Sequence, residues 1–155
     1  MDFKIQHMIS SDVDSLAAAF ASWNKPREQY ERYWRENQAG QRITIIAMCG
    51  EAIAGYSNLV WQSDYAPFRE AGIPEINDMN VIEPFRRQGI ATAFIHEAER
   101  LAATHGKTLM GIGFGLTADY GNAQRLYPKL GYIPDGRGAQ STLWSDVLYL
   151  TRPLS

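Results

Sequence analysis

Residues 75–106, EINDMNVIEPFRRQGIATAFIHEAERLAATHG, restrict what this chain can fold into more than any other stretch. The segment EINDMNVIE reads as a strand. From Phe85 onward, Ile90, Phe94, Ala98 and Leu101, joined by Ile95 and Ala102, recur on one face of a helix that ends near Gly106. A strand running into a long helix with one apolar face needs a sheet for that face to cover, so the expected class is α/β or α+β. The junction EPFRRQGIAT brings Arg86, Arg87 and Gly89 together in a chain whose net charge is only -2.

The flanking segments supply the rest of the sheet. FKIQHMI alternates Phe3, Ile5 and His7 against Lys4 and Gln6, the period of a half-buried strand. Ser10 or Ser11 can cap a helix that begins near Asp12 and carries Leu16, Ala19, Phe20 and Trp23 at helical spacing. Pro26 can open a second helix, PREQYERYWRENQ, with Tyr30, Tyr33 and Trp34 on one side and Gly40 beyond its end. RITIIAMCG and AIAGYSNLVW read as a hairpin, and QSDYAPFREAGIP as a loop. KTLMGIGFG is a glycine-rich strand. From Tyr120 the residues Ala123, Leu126, Tyr127 and Leu130 repeat at helical spacing until Gly131. YIPDGRG then turns the chain into a final strand, TLWSDVLYLTR. With 155 residues, 45% of them hydrophobic, and no repeat or linker, one domain over residues 1–155 is expected.

Composition narrows the function classes. Lys and Arg number 15 against 17 Asp and Glu, so no basic excess favours nucleic acid as a partner. No apolar stretch approaches the ~20 residues that span a bilayer, and MDFKIQHMIS lacks the pattern of a signal peptide, so a cytoplasmic protein without membrane contact is expected. Cys49 is the single cysteine and reads as a buried thiol. His7, His96 and His105 have no metal-ligand spacing, and no metal is expected. GIGFGL has Leu116 where a dinucleotide-binding turn has its third glycine. GYSNL has Leu59 where a nucleophile elbow closes on glycine.

A helix N-terminus presents unpaired N–H groups and partial positive charge, a ready site for an anion that can come close. Gly89 leaves out the side chain that would block approach, Arg86 and Arg87 add donors, and Ala91 keeps the next turn small. A solvated helix start with an incidental glycine accounts for the same six residues equally well.

A second motif separates these readings. Arg86-Arg87-Gln88-Gly89-Ile90-Ala91 resembles the Gln/Arg-x-x-Gly-x-Gly/Ala signature of the GNAT superfamily of acetyl-CoA-dependent N-acetyltransferases. NAQRLYPKLGY, with Ala123, Leu126, Tyr127, Gly131 and Tyr132, resembles the same family's second region. The element order is similar over nearly the whole chain. The chain departs from the family in carrying Tyr120 where many members have Asn, leaving Asn122 out of register, and in placing Pro128 inside the last helix.

The resemblance implies a mixed, mostly antiparallel sheet of six or seven strands, splayed at strands four and five and flanked by four helices. It implies acetyl-CoA as co-substrate and a primary amine of a small molecule or peptide as acceptor. The backbone around Val81 would pair with the pantetheine arm. Arg86, Arg87, Gln88, Gly89, Ile90, Ala91 and Thr92 would hold the pyrophosphate, with Asn122 in the place of the missing Asn. Tyr127 would protonate the leaving thiolate, and the Val81 N–H would face the oxyanion. Glu75, which shares strand parity with Val81, is preferred as base over Asp78, which faces the other way. Tyr30, Tyr33, Trp34, Trp61, Tyr65 and Phe68 lie in segments that border the acceptor site in that family and would select an apolar, aromatic or cationic amine. The resemblance also allows a homodimer, or a non-catalytic acyl-CoA sensor that keeps the fold.

Overall fold

In a computed structural model, which describes residues 2–155, the elements run β1 (Lys4–His7), α1 (Asp12–Ala19), α2 (Arg27–Gln38), β2 (Arg42–Cys49), β3 (Ala52–Val60), α3 (Ala66–Ala71), β4 (Glu75–Val81), α4 (Ile90–Thr104), β5 (Leu109–Gly115), α5 (Gly121–Lys129), β6 (Ile133–Ser141) and β7 (Asp146–Pro153). The class is mixed α/β, with a mostly antiparallel sheet in which β4 and β5 pair parallel. The chain divides into two units, one of residues up to Trp61 with Asp78–Ala98, the other Gln62–Asn77 with Glu99–Ser155.

In the first unit β1, β2 and β3 pair antiparallel, with Ile46 opposite Tyr56 and a shift in register at Ala47/Met48. Its core gathers the apolar faces read from the sequence: Leu16 and Phe20 from the first helical segment, Tyr30 and Tyr33 from α2, Ile46 from β2 and Tyr56 from β3. Rings meet edge to face, with Tyr56 at 4.9 Å from Phe20 and 5.6 Å from Tyr30 between centroids. Gly55 is dictated by close approach, because a Cβ there would stand 2.4 Å from the Asn80 carbonyl oxygen.

In the second unit β5 pairs with β7, and β7 with β6. The parallel β4–β5 ladder holds Glu75 opposite Gly111 and Ile76 opposite Ile112, a short ladder of the kind the expected splay requires. The glycines of GIGFG make room for neighbouring side chains. A Cβ at Gly111 would strike the Phe68 ring, one at Gly113 would meet Val147 and Tyr149, and one at Gly115 would strike the Tyr120 ring. Tyr120, the departure from the family pattern, therefore lies over the end of β5.

Several expectations change. The loop at 62–74 contains α3, stopped by Gly72 at φ 69°, so five α-helices stand among the described residues where four were expected. YIPDGRG is not a turn: it lies largely within β6, where Gly136 and Gly138 at positive φ absorb a register shift between Pro134 and Ala139. The final strand starts at Asp146 rather than near Thr142, because Thr142 and Ser145 close the hairpin, with the Thr142 hydroxyl donating to the Ser145 carbonyl at 2.6 Å. Ser11 stands at the start of α1 without a side-chain cap. The carboxylate of Asp12 instead accepts the Ile9 amide at 2.7 Å. Cys49, expected buried, is partly exposed at the end of β2. Pro128 falls in the last turn of α5, which ends at Lys129, so it interrupts little.

Candidate functional site

The junction between β4 and α4 lies in the first unit. Val81 ends β4, and the Ile82 amide donates to the Ala54 carbonyl at 2.8 Å. The chain then makes one 3₁₀ turn and reaches Arg87 at φ 65° and Gly89 at φ 87°. A left-handed arginine costs about 1 kcal/mol, and two left-handed residues within three positions fold the backbone as anion-gathering turns do. Gly89 has open space where its Cβ would be. The Ala93 amide is the donor to the Gly89 carbonyl at 3.0 Å, which leaves the amides of Ile90, Ala91 and Thr92 at the open start of a 15-residue helix. This turn fits a pyrophosphate. The Arg86 Nε donates to the Val81 carbonyl at 2.9 Å and braces the turn. Gln88 keeps a buried Oε1 without a hydrogen-bond partner.

Three residues before Val81, Asp78 sits at φ 47° within the strand. The strict alternation from which the sequence reading set Asp78 opposite Val81 does not describe a strand with a left-handed residue in it. Its Oδ2 accepts the hydroxyls of Tyr33 and Tyr56, the latter at 3.0 Å, and Nε2 of Gln29 at 3.3 Å. Its Oδ1 accepts Nδ2 of Asn80 and Nζ of Lys25, both at 2.9 Å. Burial alone would raise its pKa, but the charge of Lys25 and the donated hydrogen bonds outweigh it and hold the carboxyl below its ordinary value. The same surroundings push the Tyr33 and Tyr56 phenols far up, through burial first and the neighbouring carboxylate second.

In the second unit Glu75 is 8% exposed and accepts a short hydrogen bond from the Ser63 hydroxyl. Burial pushes its pKa up to about 7, with Asp64 adding to the rise and Ser63 opposing it. Tyr65 lies flat on Tyr149, centroids 3.8 Å apart, and donates its hydroxyl to Asp135 at 2.7 Å. Tyr127 on α5 packs between Phe114 and Tyr132, at 6.1 and 6.4 Å between centroids. Burial is the sole cause that raises its phenol to about 12. Asn122 is exposed in the first turn of α5, and its Oδ1 accepts from Arg125 at 3.2 Å.

Of the six aromatics expected near an acceptor, Tyr30 and Phe68 are fully buried, and Trp34 packs against the core. Tyr33 reaches Asp78, and Tyr65 joins the stack on Tyr149. Sequence reading missed Lys25, Gln29, Tyr56 and Ser63, because each acts on a carboxylate 12 to 53 positions away and carries no local signal.

Residues 11–132 match the Acetyltransferase (GNAT) family. A search of curated proteins found no match. Among solved structures, the chain is similar to an acetyltransferase of the GNAT family from Streptococcus pneumoniae (16% identity, 99% of this chain and 100% of that one, TM-score 0.75). It is also similar to the yncA protein of Salmonella typhimurium with its cofactor acetyl-CoA (14%, 100% and 95%, TM-score 0.77). A third is the ribosomal-protein-alanine N-acetyltransferase from Brucella melitensis (18%, 97% and 99%, TM-score 0.73). At these identities the likeness is one of fold. No helix among the described residues is long and apolar enough to cross a membrane.

Proposed function

Because the chain belongs to the acetyltransferase (GNAT) family, we propose that it is an N-acetyltransferase, with residues 1–155 acting as one domain that moves the acetyl group of acetyl-CoA directly to a primary amine of a small molecule or peptide. The observation that carries the reading is the turn at Arg87 and Gly89, left-handed at both residues and open at the start of α4.

Acetyl-CoA supplies the acyl group as a thioester, already activated toward amines. The amides of Arg87, Gln88, Gly89, Ile90, Ala91 and Thr92 hold its pyrophosphate, with the Arg87 guanidinium as the added cation and Arg86 as the brace. The backbone at Val81 pairs with the pantetheine arm and turns its N–H to the oxyanion. Glu75 takes the proton of the attacking amine, directly or through water. Its pKa of about 7 suits that task near neutral pH, where a carboxylate of ordinary acidity would be a weak base. Tyr127 keeps its proton at neutral pH and gives it to the departing thiolate. Asn122 is the side chain of α5 assigned to the cofactor.

Calorimetric titration with acetyl-CoA, followed by thiol release against a panel of amines, tests the reading. Saturable binding with amine-dependent release is expected, and Gly89→Trp is expected to lose the binding. Binding with no release on any amine would instead favour an acyl-CoA sensor, and no binding would remove the phosphate argument.

A further inference from the structure

The carboxylate of Asp78 is held by partners of two kinds. Gln29 and Tyr33 on α2, Tyr56 on β3 and Asn80 on β4 are neutral donors fixed by regular structure. They orient the carboxylate and cannot neutralise it. Among the described residues, the cation bonded to it is Lys25, whose long side chain comes from the short stretch between the 3₁₀ turn at Ala21–Trp23 and α2. The two side chains are 23% and 21% exposed, so solvent reaches the pair. The backbone at φ 47° is the cost of aiming an aspartate there. Two carboxylate oxygens offer about four lone-pair positions, and all are taken. A cation arriving from solvent therefore has to displace a partner, and the Lys25 ammonium, part-exposed and carried outside helix and strand, is the charged one whose place it would take.

We propose that Asp78 binds a second, non-reacting ammonium group of the acceptor, with Lys25 occupying that place when no acceptor is bound. The inference rests on the acetyl-transfer reading. A carboxylate stabilises the ammonium form of any amine it holds, whereas the attacked amine has to be neutral. The amine on Asp78 is therefore not the one acetylated, and the acceptor carries two: an aliphatic diamine or polyamine, or a molecule presenting amines in that way. Asp78 is then a residue that sets specificity and takes no part in the proton transfers.

The test is calorimetric titration of the protein, with coenzyme A present, using 1,3-diaminopropane, cadaverine and spermidine against propylamine and pentylamine. At least one of the three polyamines is expected to bind at least about tenfold more tightly than the monoamines, as one partly desolvated charge pair provides. Asp78→Asn is expected to abolish that preference. Lys25→Met, which leaves every neutral donor in place, is expected to tighten polyamine binding by removing the competitor, and it gives an answer even if Asp78→Asn fails to fold. Equal affinities for polyamines and monoamines, no polyamine binding, or Lys25→Met binding no more tightly than wild type would overturn the proposal. Thiol release that treats both amine classes alike would sustain acetyl transfer and sink the cation site. A polyamine preference that needs Asp78, without thiol release, would sink acetyl transfer and keep the site.

Discussion

Glu75 and Asp78 stand three residues apart on one strand and are tuned in opposite directions. Glu75 is buried beside Asp64 with the Ser63 hydroxyl as donor, and burial wins: its pKa rises to about 7. Asp78 is also largely buried, but a lysine and several donors oppose the burial, and its pKa falls. The difference teaches that depth alone does not set protonation; what faces the carboxylate does. It also divides the labour proposed here. The carboxylate that gains a proton near neutral pH can act as a base, and the one that stays ionised can hold a cation.

The largest expected effect is at Glu75. Glu75→Gln should lower kcat/KM for amine acetylation by about 10²-fold or more at pH 8 and remove a rise in rate through pH 7. An unchanged pH profile would return Glu75 to a structural role. Stability should move the other way. The folded pKa lies above the unfolded value, so folding takes up a proton between about pH 4.5 and 7, and the stability of wild type declines across that window. The decline amounts to roughly 3 kcal/mol. Glu75→Gln mimics the protonated form at every pH, so its thermal midpoint should exceed that of wild type increasingly from pH 5 to 8.

At Asp78 the sign reverses. Asp78→Asn breaks the Lys25 pair and turns an amide N–H toward groups that donate, and should cost roughly 2 kcal/mol at pH 7, or roughly 5 °C in thermal midpoint. The folded pKa here lies below the unfolded one. The difference between wild type and variant should therefore shrink as the pH falls through the acid range, where wild-type Asp78 gains its proton. A difference that grew in acid would mean that the two carboxylates are not opposed.

Much of the fold was legible in the sequence, because periodicity is local. The strand at Glu75–Val81, the apolar face of α4 and the aromatic side of α2 all lie where their spacing put them. The short helix α3 was not legible, since six residues hold too little of a helical period to separate from a loop. β6 was misread because two glycines inside a strand look like a turn until the partner strand is known. The strand-to-helix junction at Gly89 was legible from its flanking periodicity, and the left-handed backbone of Arg87 beside it was not. The opposed tuning was not, because the sequence shows two acids on a strand and hides that Lys25, Gln29, Tyr33 and Tyr56 converge on one of them.

The smallest expected effect separates donor from burial on each carboxylate. Ser63→Ala removes a hydrogen bond that favours ionised Glu75, so the Glu75 pKa should rise further above 7, by about one unit or less. The inflection in the rate profile should move upward with it, and the same shift should be seen in the carboxyl carbon resonance that Glu75→Gln removes. Tyr56→Phe deletes a donor to Asp78 in the same way and also raises that pKa, but from below the ordinary value with Lys25 and Asn80 still in place. Asp78 should therefore remain ionised at pH 7, and polyamine binding should change little while the acid limb of the stability curve moves upward. Equal sensitivity of the two variants at neutral pH would mean that the lysine is not what keeps Asp78 charged, and the cation site would lose the feature that distinguishes it from Glu75.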